Sequence, residues 1–177
     1  MAVIVDQPTN INFLSPLGFR FKLSRTPNVT FFVSGANLPS ISLGFVDVPT
    51  PFKMINIAGS KLDYGDLELT FRLDEDFASY FEIYNWLLGL GFPENFTTYA
   101  NLKNAKPGSK ETLYSDATLT VMTSDMVPNI EITFQNIFPT SISDINFNVS
   151  DTDVNYVEMT VSFKYQIYHV NKINTHS

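Results

Sequence analysis

Few residues in this chain could do chemistry. His169 and His176 are the only histidines, both close to the C-terminus, and there is no cysteine. A thiolate nucleophile, a disulfide framework and a zinc–thiolate site are therefore excluded. A metal centre needs three or four converging ligands, and a Ser-His-Asp arrangement needs its base on a rigid element. Neither pattern surrounds the two histidines. The acidic run Asp74-Glu75-Asp76 lacks the spacing and distal glutamate of a calcium loop; it reads as negative charge favoured at a helix N-terminus. Asp151 and Asp153 are residue types a glycosidase pair would use, but their separation is not written in the sequence. Gly59 and Gly108 are isolated turn residues, with no glycine-rich phosphate loop around them. The expectation is a non-enzyme with no catalytic residue, no cofactor and no metal.

Another polar pattern is more informative. Asp116, Thr118, Thr120, Glu131, Thr133, Gln135, Glu158, Thr160, Ser162 and Gln166 alternate with apolar residues. They form strand faces rich in hydroxyls and amides and poor in charge. An ordinary solvated sheet face is one reading. The other is a hydrophilic, weakly acidic wall of a conduit built by several subunits. The formal net charge of −7 disfavours attraction to nucleic-acid phosphates, so sequence-specific DNA binding is not expected. MAVIVDQPTN lacks the basic start and apolar run of a signal peptide. No stretch approaches the roughly 18 apolar residues needed to span a bilayer, so the expectation is a soluble, non-exported chain without a membrane partner.

The elements positioning these faces centre on residues 63–93. Leu67, Leu69, Phe71 and Leu73 alternate with Asp66, Glu68, Thr70 and Arg72, the period-two signature of a strand with one buried face. After the acidic turn, Asp76 is placed to cap a helix over about 77–90, which Gly89, Gly91 and Pro93 stop. At about 100° per residue, the apolar side chains from Tyr80 to Leu90 sweep roughly 220°, more than the roughly 100° stripe one layer buries. Either the helix lies between two layers of its own domain, or Ile83, Trp86 and Leu90 meet another subunit.

With 177 residues, 44% of them hydrophobic, 16 Phe and 8 Tyr against one Trp, the chain fits one domain with broad β packing surfaces. Residues 1–17 read as an N-terminal arm, 18–170 as the domain and 171–177 as a C-terminal tail. Within the domain, Phe19–Leu23 and Val29–Val33 are expected to form a hairpin about a turn at 25–28. A proline-flanked strand pair over about 41–58, carrying Phe52 and Met54, suits a sheet edge or an arm protruding from the domain. The polar stretch 94–112 reads as a long surface loop. Residues 113–138 form a second hairpin, a strand covers Ile142–Val149, and one long strand runs from Val157 to Ile167. The fold expected is mainly β: an antiparallel β-sandwich or barrel with one inserted α-helix.

The order of several weak motifs then becomes specific. Thr26-Pro27-Asn28-Val29-Thr30-Phe31-Phe32-Val33, Asn37-Leu38-Pro39-Ser40-Ile41, Pro51-Phe52, the strand–helix DYGDLELTFRLDEDFASYFEIYNWLLGLGFP, Ile130–Phe134 and Phe138-Pro139-Thr140 before a long terminal strand resemble the tail tube proteins of contractile-tailed, T-even-like bacteriophages. The resemblance covers most of residues 18–168. It implies a structural virion protein whose homohexameric rings stack into a tube, with sheets from six subunits closing an inner barrel for DNA ejection. Barrel closure would remove exposed sheet edges. The partners implied are other copies of the chain, the tail sheath, baseplate or neck proteins, and tape-measure protein and DNA in the lumen. Assembly would occur in the host cytoplasm. A tail completion or baseplate tube-initiator protein of the same fold is the alternative. A β-sandwich binding module or a carboxylate hydrolase would instead be a monomer with a cleft.

Overall fold

A computed structural model describes residues 13–91, 97, 99, 100, 113–147 and 156–173. Among them are strands β1 (Phe19–Leu23), β2 (Val33–Ala36), β3 (Ile41–Pro49), β4 (Met54–Tyr64), β5 (Leu67–Arg72), β6 (Ser115–Met122), β7 (Pro128–Ile142), β8 (Glu158–Lys164) and β9 (Ile167–Lys172), and helices α1 (Pro27–Phe32) and α2 (Ala78–Gly91). The fold is mainly antiparallel β. One sheet runs β1-β6-β7-β9 and a second runs β7-β8-β5-β2, so β7 belongs to both. Among the described residues, strands β3 and β4 pair only with each other.

Alternation in the sequence becomes a single core. Phe21 and Leu23 of β1, Leu67, Leu69 and Phe71 of β5, Leu119 of β6, Ile132 and Phe134 of β7, and Met159, Val161 and Phe163 of β8 are all buried. Val29 of α1 and Ile83 and Trp86 of α2 join the same cluster. The ion pair Arg72–Glu158, at 3.4 Å and about half exposed, contributes little; exposed pairs are worth about 0–1 kcal/mol. Apolar burial decides this fold.

Beta strand β7 changes sheets at Asn136. Its N-terminal part pairs with β6 and β9, while Phe138–Ile142 pairs with β8. Asn136 has φ 53°, a left-handed conformation that asparagine tolerates better than most residues. Its amide donates to Asp116 Oδ1 at 3.2 Å, and its side-chain Nδ2 donates to Gln166 Oε1 at 2.6 Å. Gln166 N donates to Gln135 O at 3.0 Å. The two bent ladders are therefore tied at one corner.

Several expectations are corrected. Residues 27–32 form α1, not a returning hairpin strand. Pro27 sits in its first turn, where a fixed φ suits a helix and the missing N–H costs nothing. Thr30 Oγ1 then accepts from Leu23 N at 3.0 Å and donates to Thr26 O at 3.1 Å, which leaves β1 to pair with β6. The expected single terminal strand is two, β8 and β9, broken at Tyr165-Gln166 by the corner. Residues 143–147 are not a strand; β7 ends at Ile142. Gly89 is a buried residue inside α2, not its stop.

The cap of α2 is Asp74, not Asp76. Asp74 carboxylate oxygens accept from Ala78 N (3.1 Å), Ser79 N (3.3 Å) and Ser79 Oγ (3.1 Å). Phe77, at φ 55°, turns the chain so that its carbonyl accepts the first helical bond, from Phe81 N. Residues 1–12, most of 94–112, Asp151, Asp153 and 174–177, including His176, lie outside the described residues; Thr97, Tyr99 and Ala100 of the expected loop are helical.

Burial pushes the Asp74 carboxyl up, but hydrogen bonds from the Ser79 and Ala78 amides and the Ser79 hydroxyl outweigh it and hold it below its ordinary 3.8. A lowered carboxylate stabilises the fold above its unfolded value and ceases to do so as pH falls. Asp74→Ala is expected to cost about 0.5–2 kcal/mol in denaturant unfolding near neutral pH, with the difference shrinking below pH 3.8. Trp86→Ala is expected to lower the unfolding free energy of the isolated subunit by about 3–5 kcal/mol; an unchanged denaturation midpoint would place Trp86 outside the core.

Candidate assembly interface

The β3–β4 ribbon is an arm. Its ladder runs from Ile41 opposite Tyr64 to Pro49 opposite Met54, with an irregularity at Gly44 and 59–61. A Cβ at Gly59 would overlap the Gly44 carbonyl, so this crossing needs a residue without a side chain. Thr50 closes the tip: its N–H and hydroxyl donate to Lys53 O, and its Oγ1 accepts from Lys53 N. Nearly every residue of both strands is exposed.

Directly opposed residues of a ladder share a face. Val46 with Ile57 and Val48 with Ile55 form one face of the distal arm; Phe45 with Ala58, Asp47 with Asn56 and Pro49 with Met54 lie on the other. Phe45 is 65% exposed, Ile57 54%, and Phe52 at the tip 98%. A strand pair that is apolar along one whole face, largely apolar on the other and exposed on both is incomplete by itself. Large exposed apolar patches mark interaction surfaces.

The interface residues expected from the sequence thus divide. Phe52 and Met54 stand on the exposed arm. Ile83 and Trp86 are 0% exposed inside their own subunit, and Leu90 is half-buried against the same core. Ile83 and Trp86 make no outward surface and Leu90 only a partial one, which corrects the expectation that Ile83 and Trp86 overhang. Trp86 Nε1 donates to Leu113 O at 3.0 Å, its ring lies near Phe163, and the Arg25 guanidinium sits 4.7 Å from its centroid. The exposed part of the apolar arc is Phe81 and Tyr84, with Tyr84 stacked on Tyr80. The arc exceeded one layer because α2 meets both the strands and α1.

The neck of the arm is tightly drawn. Gly65 N donates to Ser40 O at 2.9 Å, and Asn37 bridges to Glu68 N and Asp66 O. A Cβ on Gly65 would crowd Ser40 Oγ and N at 2.7 and 3.2 Å. Tyr165 OH donates to Gly65 O at 2.9 Å and Tyr168 OH to Pro39 O at 3.3 Å. Burial first, then Tyr168, Tyr64 and Asp66, pushes the Tyr165 hydroxyl up to about 12, so it keeps its proton near neutral pH.

The polar rows also become concrete. Lys22, Thr118, Thr133 and His169 lie across one row of the first sheet; Arg20, Thr120, Glu131 and Asn171 lie across the next. The face is of mixed charge, not weakly acidic as expected, because β1 pairs with β6 and brings Arg20 and Lys22 onto it. Among the described residues, β1, β2 and β9 each have one unpaired edge, and such edges accept further strands. Among the described residues, no three His, Asp or Glu side chains group as metal ligands, and no helix is long and apolar enough to cross a membrane.

No curated protein sequence matches this chain. Solved structures do match in fold. One is the anti-feeding prophage cap, a tube-terminating cap, at TM-score 0.60 and 10% identity, covering 98% of this chain and all of that one. A second is the sheath–tube complex of an extracellular contractile injection system in its extended state, at TM-score 0.55 and 10% identity, with 96% and 95% coverage. A third is the anti-feeding prophage baseplate, at TM-score 0.54 and 12% identity, with 88% and 92% coverage. The phage tail tube protein family matches residues 3–171. The chain belongs to the phage tail tube protein family, and it is a structural tail-tube or tube-associated protein.

Proposed function

We propose that this chain is the tail tube subunit of a phage or phage-like contractile tail, assembling as hexameric rings that stack into a conduit. The observation that carries the reading is the arm: it is exposed on both faces, apolar along the Val46–Ile57 and Val48–Ile55 face and largely apolar on the other, so a single subunit leaves it unsatisfied and a neighbouring copy can cover it. The edges of β1 and β9, unpaired among the described residues, support lateral pairing between subunits, which would place the threonine-rich rows of the first sheet side by side around a lumen. There Arg20 and Lys22 are offset by Asp116 and Glu131, giving a wall that holds neither DNA nor tape-measure protein strongly. The sheath would surround the tube, and neck or baseplate proteins would end it. The function involves no catalysis.

One observation favours a second reading, a tube-terminating ring. The cap at TM-score 0.60 is matched over its full length, and a subunit of that kind would form one ring without stacking. Negative-stain electron microscopy of the purified protein across a concentration series separates the two. Open-ended tubes support the tube subunit, single rings the terminator, and monomers at every concentration would overturn both.

Ile57→Asp and Phe45→Asp alter opposite faces of the arm. Each is expected to leave the unfolding midpoint of the dilute subunit within about 0.5 kcal/mol of the parent. Burying a side chain of this size is worth about 1.5–3 kcal/mol. The concentration needed for assembly should therefore rise roughly tenfold or more, measured by sedimentation. Unchanged assembly in both variants would remove the arm from the interface.

A further inference from the structure

We propose that Tyr165 and Tyr168 are the positioning residues of the arm, their hydroxyls fixing the direction in which β3 and β4 leave the sandwich. The inference rests on the arm being an assembly element, as proposed above. Apart from each other, β3 and β4 make no extensive contact with any other element among the described residues. Their orientation is set at the neck. The two tyrosine bonds are made to opposite strands of that neck: Tyr168 holds Pro39 O just before β3, and Tyr165 holds Gly65 O just after β4. One anchor would leave a pivot; two leave a defined tilt.

The rings reinforce the arrangement. Tyr64, the last residue of β4, packs edge-on against Tyr165 and Tyr168 with centroids 6.1 and 5.6 Å away. Tyr165 and Tyr168 pack against each other at 5.9 Å and both lie on buried Phe134. The neck itself has little slack, since Gly65 fits against Ser40 without room for a Cβ. Arm and neck therefore tilt together, and any tilt must stretch the hydroxyl bonds. Tyr165 lies at the break between β8 and β9 beside Gln166, which the corner fixes to Gln135 and Asn136, so the anchor is itself rigid. Leverage makes this matter. Nine residues of β3 at about 3.3 Å each span roughly 30 Å, so a tilt of about 10° displaces the tip by about 5 Å.

The test uses Phe substitutions, which keep the rings and remove only the hydroxyls. Because the chain has no cysteine, spin labels can be placed at Phe52→Cys on the arm tip, where the side chain is 98% exposed, and Asp125→Cys in the β6–β7 turn. Double electron–electron resonance on the dilute subunit then reads arm direction without assembly. The parent should give one narrow distance distribution. Tyr165→Phe with Tyr168→Phe should broaden it by about 5 Å or more, the tip travel of such a tilt, with each single variant intermediate. The unfolding midpoint should fall only slightly, since each substitution removes one part-buried hydrogen bond and keeps the ring. A distribution as narrow in the double variant as in the parent would overturn the proposal, as would a broad parent distribution. If the double variant does not fold, the single variants give the same reading. Assembly is scored separately: the double variant should need roughly tenfold more protein to assemble. A parent that never assembles would sink the tube reading while the spin-label result still decides the role of the tyrosines in holding the arm.

Discussion

Everything in this subunit depends on one strand belonging to two sheets. For β7 to pair with β6 and β9 at one end and with β8 at the other, its backbone must turn within a residue. Asn136 makes that turn in the left-handed region, where a non-glycine residue costs on the order of 1–3 kcal/mol. The cost is met locally, because the Asn136 amide and side chain both find partners, Asp116 on β6 and Gln166 at the β8–β9 break. The partner strand must bend at the same level, so β8 and β9 separate at Tyr165-Gln166. With both ladders bent together, Phe134, Phe163 and Leu119 converge on one core. The aromatic shelf that receives the neck of the arm lies at this same bend.

The subunit thus separates two kinds of apolar surface. The inward rows and Trp86 are consumed by the core, and truncating them affects folding. The arm contributes no residue to that core and keeps Phe45, Val46, Met54, Ile55 and Ile57 exposed. A protein that folded only for its own stability would gain by shortening such an arm or making it polar, since exposed apolar strand pairs invite aggregation.

Much of this was legible in the sequence, and the losses have physical causes. The strands at Leu67–Arg72 and Ser115–Met122 were read correctly because one buried face imposes a period of two. The arm was read from Pro49, Pro51 and Gly44, residues tolerated mainly at edges and protrusions. Alternation fails where a residue is recruited by something distant. Val29 and Phe31 alternate like a strand, yet Pro27 starts a helix that the core then captures through Val29. The terminal alternation from Val157 to Ile167 continues through the break, because the bend is imposed by Asn136, about 30 residues away in sequence. Helical geometry gave the right arc on α2 but not which part stayed outside; Ile83 and Trp86 were claimed by the core, leaving Phe81 and Tyr84. Neither tyrosine of the neck carries a local signal at all, since each acts on a carbonyl 100 or more residues away.

The neck also determines how force travels. The β2–β5 pairing ends at Ala36 and Leu69, and the β3–β4 pairing begins at Ile41 and Tyr64, with Asn37 and Ser40 bridging the gap, so arm and body form one nearly continuous two-stranded ribbon. β5 pairs along its whole length with β8 in the centre of the second sheet. A pull along the arm is therefore delivered lengthwise to β5, where the β5–β8 hydrogen bonds resist together in shear instead of opening one after another from an end. A subunit held by its arm is loaded along its strongest mechanical axis, and the residues that would yield first are those of the neck, not those of the core.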